Sequence, residues 1–344
     1  MLEYKITEFD REVYEKELKS FLPDKIIDIH THIGKASFGP LQNRMVPPSP
    51  QVGKKRWTTL MSRENTAEDL LEAYHNLFPE NEVTPLVFGD CIHDIHQVND
   101  YVLETKQKYG YPTLYRSGYD MPIDELEENV IKGGHLGIKP YLNQRPPYIP
   151  ANETRIFDFL TKEQLELANK HGWIVMLHIA RNQRLRDKVN LAQLLEIEQQ
   201  YPNVKLIVAH IGRAYAKEDL GDAFEILKST KNLLFDFTAN LCDDAIKACI
   251  EAVGTKRLMF GSDLPVAILR LYRVVENGDY INIMPKGYYE GVGELSQIRE
   301  EENDRITLMI YEQLRVFKKC AMDLKLRDTD VEDILYNNAK RLLL

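Results

Sequence analysis

The stretch Lys25-Ile26-Ile27-Asp28-Ile29-His30-Thr31-His32 decides how this chain is read. Ile26, Ile27 and Ile29 give it the β-branched character of a buried strand. Side chains alternate faces along a strand, so His30 and His32 are expected on one face with Asp28 beneath them. Two imidazoles at the C-terminal end of a first strand form half of a metal site. The plain alternative is a pair of solvated histidines where a strand meets a loop. In a chain with nine histidines the choice depends on finding further ligands at the same level.

Outward from that strand, apolar runs alternate with amphipathic segments. Strands are expected at Val83–Gly89, Pro112–Tyr119, His135–Tyr141, Trp173–Ile179, Lys205–Ile211, Leu233–Ala239 and Arg257–Asp263. Thr66 is placed to cap a helix ahead of Leu70, Leu71 and Tyr74, and another helix ends near Tyr109. Further helices are expected over Asp124–Lys132, 153–170, Leu191–Gln200 and Asp244–Val253. Ile174–Leu177, Leu206–Ala209 and Leu258–Phe260 are apolar without alternation, as parallel strands covered on both faces are. Eight strands, nearly all followed by a helix, predict an α/β fold, the (β/α)8 TIM barrel. An open doubly wound sheet is the runner-up, but no Gly-rich phosphate loop follows any strand.

The domain reading is an N-terminal helix within 1–24 packed on a single barrel over 25–344. Two long loops, 33–65 and 264–296, interrupt it, the first carrying Pro47-Pro48-Ser49-Pro50 and Lys54-Lys55-Arg56. In the second, Lys286-Gly287-Tyr288-Tyr289-Glu290-Gly291 suggests a lid, and near the end Thr329-Asp330-Val331-Glu332 reads as a capping box.

A net charge of −9 argues against nucleic acid or an anionic membrane as partner. No apolar run approaches the ~18 residues that span a bilayer, and the charged first residues are not a secretory signal. Cys91, Cys242, Cys249 and Cys320 are scattered and read as reduced core thiols. The expectation is a soluble cytoplasmic protein acting on a small molecule, its oligomeric state left open.

The missing ligands lie where a barrel keeps its active site, at the C-terminal ends of strands. His178 ends IVMLH, His210 ends LIVAH and Asp263 ends LMFGSD. Any one of them alone reads as a core or turn residue; together, at one level, they point to a metal centre. Imidazoles with one carboxylate suit Zn²⁺, with Mn²⁺ or Fe²⁺ as alternatives.

IDIHTH, MLHIAR, LIVAHIGR, LMFGSDLP and the closing ILYNNAKRLL together resemble the amidohydrolase superfamily. Within it, they are most similar to the branch holding aminocarboxymuconate-semialdehyde decarboxylase and related lactonases. The resemblance spans about residues 25–344. It implies one divalent metal held by His30, His32, His178 and Asp263, with His210 beside it facing the substrate. Lys139, in GIKPY, stays open among three readings: a cation for an anionic substrate, a structural lysine, or a carbamylated bridge to a second metal as in two-metal relatives.

Arg116, Arg181 and Arg213 fall at or just beyond strand ends, where a planar guanidinium suits a substrate carboxylate; a salt bridge between loops is the alternative for each. Tyr119 and Tyr141 are placed similarly. His93-x-x-His96 reads as ordinary loop and helix surface, and Lys54-Lys55-Arg56 as a solvated face. A divalent ion makes hydroxide available near neutral pH. Asp263 is then placed to accept a proton and His210 to donate to a developing oxyanion. Asp28 either orients an imidazole or bonds backbone amides. This chemistry fits hydrolysis of a lactone or amide, with non-oxidative decarboxylation of an unsaturated or aromatic acid as the alternative and a non-catalytic binding barrel as the third reading.

Overall fold

The β-branched run folds as a nine-residue strand, β1 (Lys25–Ile33), in the computed structural model, which describes residues 4–40, 55–57, 64–292 and 295–343. β1 pairs in parallel with β2 (Glu82–Gly89), His32 lying opposite Phe88. Six further parallel strands follow in chain order: β3 (Tyr115–Ser117), β4 (Gly137–Pro140), β5 (Ile174–Leu177), β6 (Lys205–Val208), β7 (Leu234–Asp236) and β8 (Leu258–Met259). Val87 N donates to Pro112 O and Leu114 N to Val87 O, which joins β2 to β3. Ile29 N donates to Phe260 O at 3.0 Å and Asp263 N to His30 O at 2.9 Å, which joins β8 back to β1. The eight strands therefore close into a barrel.

The barrel interior is apolar below its mouth. Ile27, Ile29, Phe88, Met176, Ile207 and Met259 meet there, each almost wholly buried, at about 1.5–3 kcal/mol of burial per large side chain. A register shift between Asp28 and Thr31 breaks the strict alternation of β1. Asp28 consequently does not lie beneath the histidines. Its carboxylate faces the outer helices, accepting from Tyr74 Oη at 2.8 Å and from the amides of Ser262 and His30 at 2.8 and 3.2 Å. It fastens β1 to the chain after β8, and orients no imidazole.

Several strands stop earlier than their apolar runs. β6 ends at Val208 because His210, Ile211, Gly212 and Arg213 all take left-handed backbone angles, φ 57°, 48°, 60° and 61°. Arg181 and Asp263 do the same, each at φ 64°. Such conformations cost about 1–3 kcal/mol each on non-glycine residues and gather at functional turns. Here they turn side chains across the barrel mouth.

Outside the barrel, Thr66 caps the helix Ala67–Leu77 as its sequence suggests, and Thr161 rather than residue 153 opens the helix Lys162–His171. A long helix, Met309–Asp323, occupies a stretch left unassigned by sequence; its Gln313 accepts from Ala239 N and donates to Gly261 O at 2.8 Å, bracing the ends of β7 and β8. The terminal capping box lies two residues earlier than Thr329: Arg327 precedes the helix and Asp330 accepts its amide. The N-terminal helix Glu8–Val13 runs on as a wider turn to Leu18, and the ring of Phe21 packs tilted against that of Phe317, centres 5.7 Å apart.

The segment after Asp263 is a small sheet rather than a loop. Tyr272–Glu276 pairs antiparallel with Asp279–Pro285, which pairs in parallel with Ile298–Glu301. Asn277-Gly278 makes the hairpin turn with φ 53° and 78°, the angles that residue pair takes between β-branched runs. Leu295–Ser296 pairs with Lys55–Arg56, so the two long connections meet. Lys286–Gly291 packs beside the barrel through Tyr289 Oη, which accepts from Arg270 N at 2.6 Å. Pro47–Pro50 and Lys54 fall outside the described residues. No helix among the described residues is long and apolar enough to cross a membrane.

Candidate metal centre

The left-handed turns and the β1 bulge bring four imidazoles and one carboxylate together at the C-terminal mouth. Ring centres are 5.1 Å apart for His30 and His32, 5.0 Å for His30 and His210, and 5.1 Å for His178 and His210. One ligand atom from each of His30, His32 and Asp263 lies within 4.8 Å of the others. Asp263 Oδ1 is 3.0 Å from His32 Nε2 and 3.6 Å from His30 Nε2.

Each ring is held by its other nitrogen. His30 Nδ1 donates to Asp236 Oδ2 at 3.1 Å, and His210 Nδ1 to Thr238 O at 2.9 Å. His32 Nδ1 meets Tyr141 Oη at 2.9 Å, and because Tyr141 Oη donates to Gly89 O at 2.7 Å, it is the imidazole that donates to the phenol. Nδ1 is engaged in all three, so Nε2 is the nitrogen left for an ion. The Nε2 atoms of His30 and His32 face Asp263, and His32 Nε2 shares a proton with Asp263 Oδ1 until an ion takes its place. His178 differs: its Nδ1 is buried and has no hydrogen-bond partner among the described residues.

An orphaned imidazole nitrogen, two Nε2 atoms and a carboxylate oxygen are the donors that a divalent ion accepts. Burial, followed by the positive charge of Lys139, holds His30 well below its ordinary pKa. Burial does the same to His178, with His210 next in effect. Burial alone would raise the Asp263 carboxyl, but the His32 hydrogen bond and the surrounding imidazoles hold it down to about 2. Burial thus favours the neutral, ligating form of His30 and His178, and Asp263 is ionised.

These groups line a cavity of about 380 Å³, at the small end of ligand pockets. Lys139 and Tyr141 line it too. The Lys139 ammonium is wholly buried without a hydrogen-bond partner among the described residues, over the rings of Phe88 and Tyr141 at 5.0 and 5.2 Å, and burial pushes it down to about 8.

The other expected substrate contacts do not reach this cavity. Arg116 is fully buried behind it, donating through Nη1 to His93 O at 2.7 Å and through Nε to Gln144 Oε1 at 3.3 Å. Arg181 is committed to both oxygens of Asp187 at 2.9 Å, and Arg213 donates to Arg181 O at 3.3 Å. Tyr119 lines a separate cavity of about 270 Å³ with Gln144 and Arg145. His93 is not surface: it is buried, its Nδ1 donating to Asp90 Oδ2 at 2.6 Å, while His96 is exposed.

Sequence reasoning passed over Asp236, the residue that orients His30. Its Oδ1 also accepts from the amides of His210 at 2.7 Å and Thr238 at 3.1 Å, so one carboxylate positions two of the histidines. The signal was present: Leu234-Phe235-Asp236 is another apolar run closed by a polar residue at a strand end.

A closed eight-stranded parallel barrel with imidazoles and a carboxylate gathered at its C-terminal mouth defines an enzyme of the (β/α)8 class. A family model described as amidohydrolase matches residues 27–344, and the chain belongs to that family, whose members are metal-dependent. No curated protein matches the chain. Solved structures share its fold. A probable 2-pyrone-4,6-dicarboxylic acid hydrolase of Acinetobacter baumannii, with citric acid bound, is 16% identical over 92% of this chain and 98% of its own, with a TM-score of 0.56. An amidohydrolase of Burkholderia multivorans with zinc bound is 13% identical over 92% and 98%, with a TM-score of 0.59. A 2,6-dihydroxybenzoate decarboxylase from Rhizobium is 12% identical over 93% and 99%, with a TM-score of 0.54.

Proposed function

We propose that the protein is a metal-dependent hydrolase acting on a lactone or amide bond of a small, carboxylate-bearing substrate. One divalent ion, zinc by preference, is held by His30, His32, His178 and Asp263. The observation that carries this reading is the set of oriented donors: His30 and His32 with their Nδ1 atoms engaged, His178 with a buried nitrogen and no hydrogen-bond partner for it among the described residues. When bound, the ion supplies an activated water and polarises the carbonyl that is attacked. Asp263, ionised and facing the same space, accepts the water's proton and returns it to the leaving group. His210, its Nδ1 fixed on Thr238 O, holds the carbonyl oxygen as charge develops on it only once its Nε2 also carries a proton to donate. Lys139 supplies the cation for a substrate carboxylate, since a buried ammonium with no hydrogen-bond partner among the described residues is costly until a ligand provides one.

The test is metal analysis of purified protein followed by product analysis on lactones, amides and unsaturated carboxylic acids. Hydrolysis gives a new acid with every carbon retained. Release of CO₂ instead would establish the decarboxylase, and a protein that carries no metal and turns over nothing would be a binding barrel.

A further inference from the structure

The outer half of the cavity has a polarity that the metal centre does not use. Two of its side chains, Asn65 from the first long connection and Asn143 from the turn after β4, are amides whose orientation is fixed. Asn65 Nδ2 donates to His32 O, and Asn143 Nδ2 donates to Cys91 O at 2.9 Å. Turning either amide over would set two carbonyl oxygens against each other, so each Oδ1 is an obligate acceptor. Both Oδ1 atoms are buried, and neither has a hydrogen-bond partner among the described residues. Asp90 lines the same cavity, held by His93 Nδ1 and by the amides of Ile92 and His93. This wall therefore offers acceptors, and a buried acceptor left unmade costs as much as a lost hydrogen bond.

We infer that Asn65 and Asn143 are specificity-determining residues for a hydroxylated substrate, their side-chain carbonyls accepting hydroxyl donors on carbons away from the bond attacked at the histidines. The inference rests on the proposed hydrolase only in placing the reacting bond at the histidine end. Hydroxyls fit better than ammonium groups, because Lys139 already brings to the cavity an ammonium with no hydrogen-bond partner among the described residues, and a divalent ion adds to its positive charge. A site built to accept from hydroxyls rejects analogues lacking them, since its own polar groups are then left buried and unpaired.

The experiment is calorimetric titration of zinc-loaded protein with gluconate, galactonate and hexanoate, acids of equal chain length with and without hydroxyls. At least one of the hydroxylated acids is expected to bind about tenfold tighter than hexanoate, the gain of one or two satisfied acceptors. In Asn143→Ala that preference should shrink by about fivefold, while hexanoate affinity stays within about twofold. Hexanoate equal to or tighter than both others overturns the inference, as does failure of all three to bind. An Asn143→Ala variant that weakens all three alike also overturns it, because the effect is then one of loop structure. Zinc content is measured on the same sample beforehand. A protein that takes up no zinc refutes the metal centre, while the ligand preference is decided by the titration in either case.

Discussion

His32 Nδ1 lies 2.9 Å from Tyr141 Oη, and that hydroxyl donates onward to Gly89 O at 2.7 Å. The chain of two hydrogen bonds fixes one tautomer of His32 and points its Nε2 at Asp263. Tyr141→Phe removes the acceptor without changing the shape of the ring. Zinc affinity should fall by about 10- to 100-fold, the usual loss for such an orienting partner, with the circular dichroism spectrum unchanged. Unaltered zinc affinity in a competition titration would mean that packing alone orients His32.

Asp236→Asn makes a sharper version of the same test. Oδ1 must go on accepting from the amides of His210 and Thr238, so the new NH₂ occupies the place of Oδ2, facing His30 Nδ1. His30 then has to present a lone pair at Nδ1 and a proton at Nε2, the wrong tautomer for ligation. Metal content should drop well below one equivalent in a fully folded protein. Retention of a full equivalent would show that His30 does not ligate through Nε2.

These two relationships mark how far the sequence could be read. The barrel was legible because most strands show as short apolar runs between helical periodicities, Ile174–Leu177 and Leu206–Ala209 among them, and His30, His32, His178, His210 and Asp263 because they stand at the ends of strand segments. Asp236 obeys the same rule and was passed over because the expected strand ran on to Ala239, which put it inside the run rather than at its end. The β1 bulge was not legible: alternation predicts one face for Asp28 and His30, and the structure puts them on different faces. The arginines misled because their strand-end positions say nothing about partners; Asp187 takes Arg181, and backbone carbonyls take Arg116 and Arg213. The Asn277-Gly278 hairpin was readable from its dipeptide and its flanking valines, isoleucines and tyrosines.

His135, buried at the foot of β4 with Thr113 Oγ1 2.8 Å from its Nδ1, gives a pH prediction for stability. Burial, aided by the charge of Lys106, pulls its pKa down from 6.5 to about 4. The unfolded chain therefore binds a proton over a range where the native state resists it. The stabilisation is complete above pH 6.5 and is lost as pH falls toward 4, by up to about 3 kcal/mol. His30 and His178 add slopes of the same sign, so the whole loss is steeper than one group explains. In His135→Gln the fall in urea-unfolding free energy between pH 6.5 and 4 should be shallower than in the parent. Parallel curves would show that His135 titrates normally in the fold.

Metal stoichiometry settles Lys139. One equivalent per chain is expected, stripped by His30→Ala with His32→Ala and unaffected by Lys139→Met, since Lys139 is cast here as a cation for the substrate. The Lys139→Met protein should be folded and metalated but poor at binding anionic ligands. Two equivalents in the parent, both disturbed by Lys139→Met, would instead make Lys139 a carbamylated bridge and remove it from substrate recognition.

The two roles given to Asp263 can be separated by comparison with His210. Asp263 Oδ1 faces His30 and His32, which leaves Oδ2 free for proton transfer. Asn keeps the shape and ligates weakly through its carbonyl, but it accepts no proton near neutral pH. Asp263→Asn should therefore retain a measurable share of metal and of substrate binding, while turnover falls by at least the ~10²–10⁴ of a lost general base. His210→Asn should lower turnover with metal content nearly whole, because His210 is assigned to the substrate oxygen. Metal content and rate are to be measured on the same preparations with whichever substrate the product screen identifies. Near-normal turnover in Asp263→Asn would leave the carboxylate as a ligand only.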